Sequence, residues 1–242
     1  MVAETASTNA DLIARVAAGE DIAGAVLLAE HQTAGRGRNG RTWSAVPRAQ
    51  ISMSVGVPTD GLPATAWGWV PLITGLAVVD AVAEVTGVAV GLKWPNDVLA
   101  VSDGRKLAGI LAEVASPASV IVVGVGVNVS LGADELPETT ATSLRVLGAD
   151  DADRGALILA LLRHLQRRVD ALASAGGADA RLVDDYVAKS LTVSARVRAT
   201  LPGDREVVGD AVSVDDQGRL LIDTGDGVTV VSAGDIVHLR PV

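Results

Sequence analysis

Residues 32–43 alternate glycine with arginine, and the pattern that follows them decides which folds are open to this chain. Gly35, Gly37 and Gly40 satisfy the G-x-G-x-x-G spacing of dinucleotide-binding folds. That spacing binds a pyrophosphate only where it leads from a strand into the N-terminus of a helix. Here an alternating apolar run at residues 51–57 follows instead and predicts a strand. The doubly wound dinucleotide fold is therefore excluded.

The same segment concentrates positive charge. Arg36, Arg38 and Arg41 lie within six residues of one another. Like charges this close repel unless an anion lies between them, and glycines let backbone N–H groups approach such a ligand. The segment therefore predicts a loop that closes over a phosphate or a carboxylate, and with little to bury it should be mobile without that ligand. The alternative is a solvated basic loop on an acidic protein.

The rest of the chain mixes patterns typical of helices and of strands. Polar residues precede and glycines follow several apolar runs of helical spacing, as expected at helix ends. The run at 120–129 is almost entirely valine, isoleucine and glycine, which favours a central strand. Helices are predicted at 10–18, 64–85, 153–173 and 179–189, and strands at 25–29, 51–57, 88–92, 98–101, 107–114 and 120–129.

The pattern of predicted secondary structure changes near residue 190. From residue 193 to residue 240 the chain carries only short β patterns separated by turns, which predicts a small β-barrel of about five strands. We therefore expect two domains, residues 1–189 and residues 190–242. The fold class is α+β, with a mixed sheet in the first domain and the barrel in the second.

Composition excludes several classes of function. The chain has no cysteine and only three histidines, so disulfides, thiolate sites and a zinc centre are not expected. A net charge of -9 disfavours nucleic-acid binding, which needs a positive field. The N-terminus lacks the pattern of a signal peptide, and the apolar stretch at 67–82 is interrupted by polar residues, glycines and a proline. We expect a cytoplasmic protein with a buried helix there and no membrane span.

Five sequence blocks resemble the catalytic core of biotin protein ligases, in the order in which that family has them. Lysine is rare here, with only Lys93, Lys106 and Lys189, yet two of the three fall in these blocks. The blocks are Ser7-Thr8-Asn9, Glu30-His31-Gln32-Thr33-Ala34-Gly35-Arg36-Gly37-Arg38, Lys93-Trp94-Pro95-Asn96-Asp97, Lys106-Leu107-Ala108-Gly109-Ile110-Leu111 and Gly124-Val125-Gly126-Val127-Asn128.

The resemblance implies a fold and a reaction. The core would resemble class II synthetases and lipoate ligases, and the C-terminal module would be SH3-like. The enzyme would make biotinyl-5'-AMP from biotin and ATP with Mg²⁺. It would then biotinylate a lysine of the carboxyl carrier protein of an acyl-CoA or pyruvate carboxylase, acting as a monomer or weak homodimer. Many relatives carry an N-terminal DNA-binding domain. With six residues before Ser7, we expect a form without that domain, which does not bind nucleic acid.

The resemblance also implies roles for individual residues. Lys106 and Arg38 would be catalytic, and Asp97 would lie near the magnesium-bound phosphates, although no metal ligand is identified. Biotin would contact Ser7, Thr8, Asn9, Gln32, Gly35, Arg36, Gly37, Arg38 and Lys106. The nucleotide would contact Arg36, Arg38, Arg41, Trp43, Lys93 and Asn128.

Other interpretations remain open at this stage. Ser7 could be a plain helix cap, and Asn128 could be a turn residue at a strand end. For the whole chain, the alternatives are a lipoate protein ligase, which shares the fold and the chemistry, and a non-catalytic biotin sensor.

Overall fold

The computed structural model describes residues 1–44, 46–116, 120–203, 205–236 and 238–242. Its fold is α+β, as predicted. A seven-stranded mixed sheet has the order β1-β2-β3-β7-β6-β5-β4, and a five-stranded antiparallel sheet has the order β11-β10-β9-β8-β12. The first sheet contains β1 (Val2–Thr5), β2 (Val26–Gln32), β3 (Gln50–Pro58), β4 (Val90–Lys93), β5 (Asp97–Ala100), β6 (Lys106–Ala115) and β7 (Val120–Asn128).

The centre of the large sheet is where the valine-rich run was expected. β7 pairs antiparallel with β3 on one side and with β6 on the other, so both of its edges are hydrogen-bonded. Among the described strands of this sheet, the sequence did not predict β1, which is four residues long and pairs parallel with β2. A strand this short shows too few alternations to be recognised by periodicity.

Three of the described α-helices begin at polar caps, and the second helix along the chain, which follows Gly68, has no side-chain cap. Ser7 caps α1 (Thr8–Ala17), Asp153 caps α3 (Arg154–Ser174) and Asp179 caps α4 (Ala180–Lys189), each through a side-chain oxygen. The prediction for the second helix started too early, because residues 64–66 form a separate 3₁₀ turn and α2 spans Trp69–Thr86. Pro71 is compatible with this start, since the first turn of a helix needs no N–H donor from it.

Helix α2 is long and apolar enough to cross a membrane by length and composition alone. In this fold it is a core helix, as the interruptions in its sequence predicted. It packs against β4 and β6 on one side and against α3 on the other. Twelve of its residues are buried, which explains an apolar surface on all sides without a membrane.

The C-terminal sheet packs directly on the core. It contains β8 (Arg196–Leu201), β9 (Arg205–Val214), β10 (Leu220–Asp223), β11 (Val228–Val231) and β12 (His238–Pro241). The indole of Trp69 donates to the carbonyl of Asp215 at 3.1 Å, and that of Trp94 donates to the carbonyl of Gly218 at 3.0 Å. Both indoles are fully buried, so loss of this sheet would expose them to water. The domain boundary near residue 190 stays a prediction.

Substitution of Gly68 by alanine tests this packing. A Cβ at Gly68 would lie 2.2 Å from the carbonyl oxygen of Gln217, which belongs to the turn between β9 and β10. The backbone of Gly68 is right-handed helical, so alanine is disfavoured by this contact alone. We expect Gly68→Ala to lower the free energy of unfolding by about 1–3 kcal/mol in urea denaturation. Gly234→Ala, where a Cβ meets open space, is the control and should be nearly neutral.

Candidate active site

A cavity of about 970 Å³ opens on one face of the large sheet. Its walls come from the start of α1, the glycine–arginine segment, the turn between β4 and β5, and residues 137–141. Every residue that the sequence assigned to the site lines this cavity except Gly35. The fold therefore brings together side chains from five separate blocks of the chain, although their contacts with a ligand stay predictions.

Gly35 has a local structural task. It is buried beside the cavity, and its carbonyl accepts from the backbone N–H of Trp43 at 2.8 Å. A Cβ on Gly35 would lie 2.5 Å from the carbonyl oxygen of Trp43. Glycine is thus required for the segment to fold back on itself at this point.

One end of the cavity is neutral and hydrogen-bonding. Thr8 and Asn9 are buried at the start of α1, and Ser54 of β3 lies 2.7 Å from Thr8 Oγ1 and 2.6 Å from Asn9 Oδ1. Gln32 Oε1 accepts from the Thr8 backbone N–H at 2.9 Å and lies 3.1 Å from Thr8 Oγ1. Ser7 Oγ accepts from the N–H of Ala10 at 3.5 Å, so the cap and a place in the cavity wall coexist.

Three glycines form the floor of the cavity. Gly109 and Gly126 are directly paired between β6 and β7, and Gly124 lies two residues away on the same face. A Cβ at Gly126 would lie 2.4 Å from the indole of Trp43, and one at Gly124 would lie 2.3 Å from Asn9 Oδ1. The missing side chains therefore make room for the indole and for the amide of α1.

The other end of the cavity carries Lys106 and Lys93. Lys106 Nζ lies 2.6 Å from Asp97 Oδ1 and 5.6 Å from the ring centroid of Trp43. The backbone of Lys106 is fixed by hydrogen bonds with Thr140 and Thr142 at 2.7 and 2.8 Å. Lys93 stands opposite Asp97 in the register of β4 and β5. Ammonium groups so placed can stabilise negative charge on a bound ligand.

The glycine–arginine segment is less free than the sequence suggested. Arg38 Nη1 donates to Asn96 Oδ1 at 3.2 Å, and its Nη2 donates to the carbonyl of Ala233 in the C-terminal module. Asn39, in the left-handed region at a φ of 55°, donates to the carbonyl of Ile236 at 3.3 Å. Burial lowers the pKa of the Arg38 guanidinium, Asp97 raises it and Arg41 lowers it further. The expectation that this segment buries almost nothing is wrong for Arg38.

Asn128 lies at the end of β7 with its amide engaged by the protein. Its Oδ1 accepts from Gln50 Nε2 at 2.7 Å, and its Nδ2 donates to the carbonyl of Thr142 at 2.8 Å. These bonds fix the direction of the amide on the cavity wall. A contact with adenine stays a prediction.

The sequence missed several residues of this site. Ser54, Asn96, Glu113 and Arg240 all lie in or beside the cavity, yet none was given a role. Asn96 belongs to a block that the sequence identified, and a signal also existed for two others. Ser54 belongs to the polar face of an alternating strand, and Glu113 lies on the same face of β6 as Gly109. Arg240 reaches the cavity from the C-terminal sheet, and no local sequence pattern predicts this position.

Similarity to known proteins agrees with this site. The family model described as "Biotin/lipoate A/B protein ligase family" matches residues 5–128, and the one described as "Biotin protein ligase C terminal domain" matches residues 195–239. The fold and the cavity thus define a ligase core of the biotin and lipoate type.

Individual relatives narrow the assignment. A biotin–[acetyl-CoA-carboxylase] ligase of Mycobacterium tuberculosis is 54% identical over 99% of this chain and 88% of its own length. A bifunctional ligase/repressor of Escherichia coli is 31% identical over 97% of this chain and 71% of its own length. A biotin protein ligase of Aquifex aeolicus, solved with biotin and ATP, has a TM-score of 0.83 at 27% identity, covering 100% of this chain and 97% of that one. The chain belongs to the biotin protein ligase family.

Proposed function

We propose that this chain is an ATP-dependent biotin protein ligase. A carboxylate oxygen of biotin attacks the α-phosphate of ATP, which gives biotinyl-5'-AMP and releases pyrophosphate. The ε-amine of a carrier lysine then attacks the activated carbonyl, which forms an amide and releases AMP. The observation that supports this function best is a single cavity with neutral hydrogen-bonding groups at one end and lysine and arginine at the other.

The two ends of the cavity suit the two ends of biotin. A urea is neutral and needs neutral donors and acceptors, which Thr8, Asn9 and Gln32 carry. The carboxylate and the α-phosphate are both anionic, and their approach raises the local negative charge. Lys106 and Arg38 stabilise that charge in the transition state. No protein nucleophile is required, because biotin supplies the attacking oxygen.

The remaining assignments follow the same division. Ser7 completes the head-group wall, and Gly35, Arg36 and Gly37 belong to the loop over biotin. Arg36, Arg38, Arg41, Trp43, Lys93 and Asn128 face the nucleotide. All of these residues except Gly35, which lies beside the cavity, are in its wall, and their charges agree with these roles.

Magnesium fits this site as an ion that arrives with ATP. Among the described residues, no three His, Cys, Asp or Glu side chains group together as metal ligands. Mg²⁺ often uses only one or two protein carboxylates together with substrate phosphates. Asp97, which lines the cavity, is the carboxylate that would lie beside it. The ion would neutralise phosphate charge.

The acceptor is the biotin carboxyl carrier protein of an acyl-CoA or pyruvate carboxylase. It docks along a sheet edge, where backbone pairing positions a partner with little side-chain recognition. Strand β1 has only β2 as a neighbour in the sheet order, and its end is next to the loop, since the carbonyl of Thr5 accepts from Thr33 N–H at 2.9 Å. The C-terminal module is the second contact of the carrier.

The protein acts in the cytoplasm as a monomer or a weak homodimer, in two domains of residues 1–189 and 190–242. It binds neither nucleic acid nor membrane. A net charge of -9 supports the first of these statements, because phosphates repel an acidic surface.

Pyrophosphate exchange with biotin or with lipoate tests the proposed function. We expect ATP–pyrophosphate exchange with biotin and little with lipoate, followed by modification of one carrier lysine detected by mass spectrometry. A preference for lipoate would favour a lipoate ligase. Biotin binding without modification of any carrier would favour a sensor.

A further prediction concerns the glycine floor. A Cβ at Gly126 overlaps the Trp43 indole, so Gly126→Ala should displace that ring and raise the KM for ATP by about tenfold or more. Trp43→Ala should also raise it. If the glycine acts only through this ring, the double variant is no worse than Trp43→Ala alone. Additive effects would mean that Gly126 acts through another contact.

A further inference from the structure

Glu113 of β6 connects two parts of the site that the sequence treats separately. Its Oε2 accepts from Asn9 Nδ2 at 2.8 Å and from Arg36 Nη2 at 3.0 Å. Asn9 belongs to the neutral end of the cavity, and Arg36 belongs to the loop. The carboxylate is only 28% exposed, and the proposed reaction assigns it no task.

Glu113 fixes which way the Asn9 amide faces. Asn9 Nδ2 also donates to the carbonyl of Leu111 at 3.1 Å, so both of its hydrogens have acceptors. Its Oδ1 must then face Ser54, whose Oγ lies 2.6 Å away. An amide oxygen only accepts, so Ser54 donates its single hydrogen to Asn9.

The order of donors and acceptors continues from Ser54. With its hydrogen given to Asn9, Ser54 Oγ is an acceptor towards Thr8 Oγ1, 2.7 Å away. Gln32 Oε1 accepts from the Thr8 backbone N–H whichever way the Thr8 hydroxyl points. The amide nitrogen of Gln32 is therefore directed away from Thr8. The direction of the hydrogen bonds from Asn9 through Ser54 to Thr8 is therefore set by Glu113.

We propose that Glu113 is a positioning residue that sets the hydrogen-bond polarity of the head-group pocket and ties Arg36 of the loop to that pocket. The proposal rests on the proposed function, since the urea group of biotin is what would bind to these donors and acceptors. An exposed ion pair alone would contribute little. Glu113 differs from such a pair because the oxygen that binds Arg36 also accepts from the buried amide of Asn9. Removal of the carboxylate would leave Asn9 Nδ2 with one acceptor fewer.

The test compares two variants of Glu113. Glu113→Ala removes the acceptor for both partners and should weaken biotin binding by about 10- to 100-fold, while the KM for ATP changes less than about threefold. Glu113→Gln keeps an uncharged acceptor for Asn9 and should restore most of the biotin affinity. It should still release biotinyl-5'-AMP faster than the wild type, because the charge that pairs with Arg36 is gone.

Glu206→Ala is the matched control. Glu206 pairs with Arg198 at 2.7 Å on the C-terminal sheet, and neither residue lines the cavity, so this variant reports the loss of a surface ion pair. Biotin affinity is measured by titration calorimetry, and folding is checked by thermal unfolding.

The outcomes are separable. Glu113→Ala that is folded and binds biotin as tightly as Glu206→Ala would reduce Glu113 to a surface ion pair. Failure of Glu113→Gln to restore affinity would overturn the polarity argument. A wild-type protein that does not bind biotin would overturn the proposed function, and the role of Glu113 with it.

Discussion

Lys106→Ala should slow the formation of biotinyl-5'-AMP by about 30- to 900-fold. The ammonium lies against Asp97 and beside the Trp43 ring, at the cationic end of the cavity. Removal of one preorganised charge from a developing anion costs on the order of 2–4 kcal/mol in the activation barrier. Single-turnover formation of the adenylate from saturating biotin and ATP measures this directly.

The fold should tolerate this change. The hydrogen bonds of residue 106 to Thr140 and Thr142 are made by its backbone, and its side chain is one-third exposed. Arg105→Ala is the control, because Arg105 is adjacent in sequence, pairs with Asp103 and does not line the cavity. Near-wild-type adenylation by Lys106→Ala, with Arg105→Ala unchanged, would remove Lys106 from the catalytic assignment.

Arg38→Gly should release the reactive intermediate. The guanidinium of Arg38 connects the loop to Asn96 and to the C-terminal module at Ala233. Asn96 is itself fixed, since its Nδ2 donates to the carbonyl of Ile110 at 3.0 Å. Loss of these charged hydrogen bonds should speed dissociation of biotinyl-5'-AMP by about tenfold or more. Free adenylate then labels lysines on bystander proteins.

The measurement compares adenylate in solution with biotin on an added bystander protein. Asn39→Gly removes the bond to Ile236 without straining the left-handed backbone at this position, and should have a smaller effect than Arg38→Gly. Arg105→Gly, which removes an arginine outside the cavity, should behave as the wild type. Adenylate release by Arg38→Gly at the wild-type level would show that the seal depends on other residues.

A deletion of the C-terminal module is a poor test of its contact with the carrier. The sequence suggests such a truncation after Lys189, because all the motifs for adenylation precede it. The structure shows that Trp69 and Trp94 donate to backbone carbonyls of that module and are buried by it. Removal would leave two indole N–H groups and their apolar rings in water, which destabilises the core itself.

Much of the site could be predicted from the sequence because its parts are local. The Ser7 cap, the glycine–arginine loop and the Lys106 block each carry their residue types within a few positions. The continuous run of valine, isoleucine and glycine likewise indicated β7 as central, since a strand buried on both faces is typically so uniformly apolar. Ser54 shows where this reasoning stops. Its strand alternates, which is typical of a solvated polar face, but α1 covers that face and Ser54 is fully buried.

The sequence by itself determined the types of the elements, the α+β class and the chemical character of the site, because these depend on spacings of two to four residues and on residue type. The tertiary structure decided which of these residues bind the same carboxylate oxygen, which contact the same indole ring and which line the same cavity. Arg38 and Ala233 are 195 positions apart, and Trp69 and Asp215 are 146 apart. No local periodicity encodes such pairs, because they form only when two sheets have packed and excluded water between them.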